Sequence, residues 1–128
     1  MTAIVSFETF TATDGIPIYL QILRHIKSGI CSGEIVNGDE MPSRRILSAL
    51  IGVNPNTIQK AYRMLEEEGL ILSHPGAKSY VMLTQEKLDE IRSEMIAADL
   101  HTALTSLKRM GLTKEEALAR LSSLWDSV

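Results

Sequence analysis

The chain has a single cysteine, Cys31, which excludes an internal disulfide and any multi-cysteine metal site. It has no apolar run near the roughly 20 residues that a membrane span needs. No basic residue precedes Glu8, so the first ten residues do not read as a secretory signal, and a cytoplasmic protein is expected. Enzymatic hallmarks are also missing. There is no Ser/His/Asp arrangement, no phosphate-cradling glycine loop and no pair of carboxylates in an apolar setting. His25, His74 and His101 lack ligand-like spacing. Neither metal nor cofactor is therefore expected. Internal repeats, low-complexity stretches and flexible linkers are absent too.

Basic charge is scarce overall. The 128 residues hold 13 Lys+Arg against 16 Asp+Glu, a net charge of −3. Acid is missing, however, from one window. Met41 to Leu65 contains no Asp or Glu but carries Arg44, Arg45, Lys60 and Arg63. Glu34, Asp39 and Glu40 precede the window, and Glu66, Glu67 and Glu68 follow it. A cationic patch can thus form on an acidic chain, because field depends on where charges sit.

The remaining 45% hydrophobic residues are patterned for helices. Pro17 suits a first helical turn, and Ile18, Ile22, Leu23, Ile26 and Ile30 follow at helical spacing. Ser43 predicts the cap of a short second helix with Ile46, Leu47, Leu50 and Ile51 as its stripe. After Gly52, Asn54 caps a third helix with Pro55 in its first turn; Ile58, Ala61, Tyr62 and Leu65 form its apolar face, and Gly69 ends it. The period then changes. Residues 70–72 and 80–83 read as two short strands around a turn signalled by Pro75-Gly76. Thr84 opens a long fourth helix that runs toward Gly111. Thr113 and Glu116 make a capping box for a last helix.

This order predicts a mainly α fold with a small β-hairpin: an N-terminal winged helix-turn-helix over residues 1–83, then two C-terminal helices over 84–128. In such a motif the second helix of the pair enters the major groove. The third helix has Asn56, Thr57, Gln59, Lys60 and Arg63 to offer, none of them acidic. Glu66, Glu67 and Glu68 sit at that helix's C-terminus, where the macrodipole disfavours acids.

Five stretches carry a resemblance. Pro17-Ile18-Tyr19-Leu20-Gln21-Ile22, Ser32-Gly33-Glu34-Ile35 with Asn37-Gly38-Asp39, Pro42-Ser43-Arg44-Arg45-Ile46-Leu47, Val53-Asn54-Pro55-Asn56-Thr57-Ile58 and Leu65-Glu66-Glu67-Glu68-Gly69-Leu70-Ile71 occur in order. Over roughly half of the chain they resemble the GntR family of bacterial transcription regulators. The resemblance implies that Arg45 contacts DNA from the start of the second helix. It places Asn56, Thr57 and Lys60 at recognition-helix positions that meet bases and phosphates. In the wing, Gly76-Ala77-Lys78-Ser79-Tyr80-Val81 departs from the family's pattern, since Lys78 replaces a second glycine. Lys78 thereby becomes a candidate contact to phosphate or the minor groove. Arg44, Gln59, Arg63 and Gly76 complete the candidate DNA-binding set.

The 45 residues from 84 onward resemble the dimerising helices of the small YtrA-type branch. Physics points the same way. Leu88, Ile91, Met95, Leu104 and Leu107 on the fourth helix, with Leu118, Leu121 and Trp125 on the last, cannot bury each other in so short a segment. The expected partners are double-stranded DNA and a second copy. Any small-molecule effector would have to sit at the dimer interface or between the two parts. The expected function is a homodimeric repressor reading a palindromic operator. The competing reading is a winged-helix protein-interaction module, which the net negative charge favours and the polar, basic third helix disfavours.

Overall fold

The computed structural model describes residues 3–74, 76 and 78–128. Pro75 of the expected turn and Ala77 of the wing motif lie outside the described residues. Five α-helices and one hairpin follow in the order α1 Ile18–Ser32, α2 Arg44–Ile51, α3 Pro55–Glu67, β1 Ile71–Ser73, β2 Ser79–Val81, α4 Gln85–Arg109 and α5 Lys114–Leu124, with a 3₁₀ turn over Trp125–Ser127. The hairpin is antiparallel, and Ile71, Leu72 and Ser73 face Val81, Tyr80 and Ser79.

Local chemistry sets the helix ends. The Ser43 hydroxyl accepts the Ile46 N–H at 3.1 Å, and the Asn54 side chain accepts the Asn56 N–H at 2.8 Å. Gly52, at φ 69°, closes α2 in the left-handed region that the tight turn to α3 requires. Gly69, at φ 75°, reverses the chain after α3, while Leu70 N–H bonds back to Leu65 O at 2.9 Å. Thr113 and Glu116 form the reciprocal capping box of α5.

Contacts divide the chain into two compact units, Met1–Arg92 and Ser93–Val128. The first holds the core. α3 packs against both α1 and α2. Ile22, Ile26 and Ile30 from α1, Leu47 from α2, and Ile58, Ala61, Tyr62 and Leu65 from α3 are buried together with Leu70, Ile71 and Val81. Such close packing is what fixes the relative angle of the two helices in the motif. In the second unit, by contrast, no residue is buried.

Four features differ from the sequence-based expectation. The strands run 71–73 and 79–81 instead of 70–72 and 80–83, because Leu70 N–H closes α3 and only its carbonyl continues the ladder, to Met82 at 2.8 Å. In α2, Ile46 and Leu50 are exposed. The buried neighbour of Leu47 is Ser48, whose hydroxyl is satisfied by Val53 O at 2.6 Å. Ile91 is buried within the first unit, so the opening turns of α4 belong with the winged helix, and the division falls within that helix rather than at residue 84.

The fourth difference is at the N-terminus. Residues 3–5 pair in parallel with Glu40, through Val5 N–H to Glu40 O and Glu40 N–H to Ala3 O, both 2.8 Å. Glu40 in turn bridges Tyr80 of β2 in antiparallel fashion, flanked by Met41 N–H to Ser79 O at 2.8 Å and Val81 N–H to Asp39 O at 2.7 Å. The hairpin is thus extended by two more chain segments. Val5 and Phe7 are buried, and the Phe7 ring stacks on His25 at 4.5 Å with Phe10 at the other ring edge, 5.6 Å away. His25 is a structural residue that also bonds Ser6 O at 2.8 Å through Nε2. Phe7→Ala is expected to destabilise the protein by about 3 kcal/mol in a denaturant titration, since it opens a cavity under this strap.

Candidate nucleic-acid interface

α3 presents two faces. Ile58, Ala61, Tyr62 and Leu65 are at or near zero exposure and face the core. Asn56, Gln59, Lys60 and Arg63 are exposed, and their spacing of three and four residues puts them in one row along the helix. Thr57 is half-buried beside that row. No acid interrupts it. The row offers amide groups suited to base edges and cations suited to phosphates. Lys60 is steadied by Tyr19 of α1, whose ring lies 3.9 Å beneath its Nζ. Among the described residues, Arg63 has no ion-pair partner.

Arg45 sits at the start of α2, exposed and likewise without an ion-pair partner among the described residues. Gly76, exposed at φ 68°, and Lys78 lie at the wing. Lys78 Nζ is 3.3 Å from Glu40 Oε1, yet its side chain stays 66% exposed, so solvent screens the pair and a phosphate can compete for it.

Arg44, of the candidate DNA-binding set, is held by the protein's own side chains. Its Nη2 donates to Glu66 Oε1 at 3.0 Å, its guanidinium lies 4.8 Å from the centre of the Tyr62 ring, and its Nε is buried with no acceptor. The same Glu66 oxygen accepts the Ser73 hydroxyl at 2.7 Å, and Ser73 Oγ is 2.6 Å from Ser79 Oγ. Beneath them Tyr62 donates its hydroxyl to Pro42 O at 2.6 Å. Burial pushes that phenol well above its usual pKa, and the Arg44 charge opposes the shift only in part. Glu68 meets Lys27 of α1 at 2.9 Å. Two of the three acids at the end of α3 therefore have cations from other helices facing them.

Sequence reasoning missed this cluster. The only available signal was the pair of serines set symmetrically about the wing loop, six positions apart. The nominated dimer residues distribute unevenly. Ile91 is buried and unavailable for pairing, and Leu88 is half-buried in the same unit. Leu104, Leu118, Leu121 and Trp125 are exposed, Met95 and Leu107 half-exposed, and Ile96, Leu100 and Leu124 extend the apolar surface. Among the described residues, no helix is long and apolar enough to cross a membrane, and no group of His, Cys, Asp or Glu could hold a metal ion.

Comparison with known proteins agrees with this fold. The family described as bacterial regulatory proteins, gntR family, matches residues 18–81. The uncharacterized HTH-type transcriptional regulator YhcF of Bacillus subtilis is 35% identical over 102 residues, covering 80% of this chain and 84% of that one. The HTH-type transcriptional repressor YtrA of the same organism is 34% identical, covering 73% and 78%. Among solved structures, a GntR family transcriptional regulator from Listeria monocytogenes superposes with a TM-score of 0.77 at 28% identity, over 88% of this chain and 98% of its own. The chain belongs to the GntR family and is a winged-helix, DNA-binding transcription regulator, not an enzyme.

Proposed function

We propose that the protein is a homodimeric repressor that binds a palindromic operator, each subunit reading one half-site in the cytoplasm. The observation that carries this reading is the exposed row Asn56, Gln59, Lys60 and Arg63, set opposite a fully buried row on the same helix. Arg45, Asn56, Thr57 and Gln59 supply base discrimination. Lys60, Arg63, Gly76 and Lys78 supply phosphate contacts, and affinity falls with salt as counterions are displaced. Pairing is supported by the second unit, which keeps broad apolar faces and buries nothing. A twofold pair of recognition helices demands a twofold DNA site. The repressor sign is supported by the likeness to YtrA, a repressor by name.

The test is a fluorescence-anisotropy titration against the duplex upstream of the protein's own gene, with transcription from that duplex followed in parallel. Specific binding at about 0.15 M salt should exceed binding to random DNA by about 1,000-fold or more, and transcript should fall. Equal affinity for both duplexes refutes the reading. Arg45→Ala is expected to cost about 1–3 kcal/mol of operator affinity and to relax preference at the base it faces. Unchanged preference would remove Arg45 from the reading set.

A further inference from the structure

We infer that Glu66 is a positioning residue for DNA reading, whose carboxylate ties the wing to both helices of the motif; this rests on the operator-reading function proposed above. Glu66 Oε1 gathers Arg44 Nη2 at 3.0 Å and Ser73 Oγ at 2.7 Å. An ionised carboxylate only accepts, and a serine hydroxyl carries one proton. Ser73 therefore donates to Glu66. The 2.6 Å contact between Ser73 and Ser79 must then have Ser79 as its donor. The bonds run in one direction, from Ser79 through Ser73 to Glu66, and Arg44 enters as a second donor.

The position of this chain of bonds gives it meaning. Ser73 and Ser79 are the register partners at the loop end of the hairpin, where the wing tip begins. Ser79 is 4% exposed, so water competes little for its hydroxyl. Arg44 is the first residue of α2, and Glu66 lies in the last turn of α3. One oxygen thus joins the start of α2, the end of α3 and, through Ser73, both wing strands. Tyr62 supports the Arg44 guanidinium from below and holds Pro42 O, just ahead of the α2 cap. The offset between the reading row of α3 and the wing residues Gly76 and Lys78 is therefore set before DNA arrives. A wing without the tether would have to be ordered during binding, at a cost in affinity.

Two substitutions separate the parts. Glu66→Gln keeps an acceptor oxygen but removes the charge, so Arg44 is released toward phosphate and the wing loosens. Ser73→Ala cuts the link to Ser79 and a long 3.5 Å contact from Arg44 Nη2, and leaves the Arg44–Glu66 pair in place. The experiment selects duplexes from a random library with the full-length wild type and both variants, then measures each selected duplex across a salt series, with thermal melting of each protein as control. Both variants are expected to lose preference at the base pairs under the wing and to keep the preference read by α3. Glu66→Gln alone should steepen the salt slope by about one per subunit. Wild-type protein that enriches no sequence over random DNA overturns the DNA-reading function itself. Wild type that enriches a site, with both variants enriching the same wing positions at the same salt slope, overturns the role of Glu66. Should Glu66→Gln melt below the assay temperature, Ser73→Ala decides alone, and an unchanged wing preference refutes the inference.

Discussion

Replacing Leu104 and Leu121 together with glutamate is expected to give a monomer whose affinity for a full palindrome drops by about 100-fold or more. Both leucines are roughly half exposed, at 46% and 49%, in a unit that buries none of its residues. Under the proposed pairing these side chains face a second copy, and each new carboxylate would be forced into an apolar interface without a partner. The loss on DNA has a separate origin. Two reading heads joined together turn the second half-site into an intramolecular encounter, and unlinking them removes that advantage. Sedimentation reads the first effect, and anisotropy on whole and half operators reads the second. Half-site binding should hardly change, because the reading row lies in the first unit. A variant that still sediments as a pair and keeps full-operator affinity would defeat the C-terminal dimer.

Tyr62→Ala is the substitution with the largest expected cost to stability, about 3–5 kcal/mol for removing a fully buried aromatic side chain. Against a typical total of about 5–15 kcal/mol, this brings the first unit close to unfolding at ambient temperature. The cost is structural and local to the motif. Tyr62 fills the space under α2, donates to Pro42 O, and carries the Arg44 guanidinium on its face. Tyr62→Phe tests the hydroxyl alone, at about 1–3 kcal/mol for the buried carbonyl left without its donor. The pair also predicts a pH dependence. The folded phenol has its pKa raised above the ordinary 10.0, so the unfolded chain ionises first. The stability it contributes is complete below about pH 10 and is lost as pH rises toward the folded value. Alkaline melts should therefore fall less steeply in Tyr62→Phe than in the wild type.

What could be read from the sequence was whatever depends on near neighbours. Ser43, Asn54, Gly52, Gly69 and the Thr113–Glu116 pair mark helix ends through bonds that span only a few residues, and all lie where expected. The inward row of α3 was equally legible, because a long helix on a core shows its period plainly. What stayed hidden depends on residues far apart in sequence. Arg44 and Arg45 are adjacent and alike, and only Glu66, 22 positions away, draws the first of them inward. The strap at residues 3–7 is too short to show alternation, and its bonds go to Glu40. Continuous spacing along α4 could not reveal that Ile91 packs with the winged helix while the apolar residues beyond it stay open. The stripe read into α2 failed because a helix of 8 residues presents too little periodic surface to say which side turns inward.

Neutralising Arg44 also bears on how the protein travels along a chromosome. Under the proposed function, with that guanidinium held by Glu66, the phosphate contacts left to each subunit are those of Arg45, Lys60, Arg63 and the exposed Lys78. Each neutralised phosphate contributes about 0.9 to the salt exponent, so withholding Arg44 is expected to lower that exponent by about one per subunit on any sequence. A subunit that holds random sequence less tightly would leave more copies free for the operator, so one intramolecular ion pair would act in favour of occupancy at the true site.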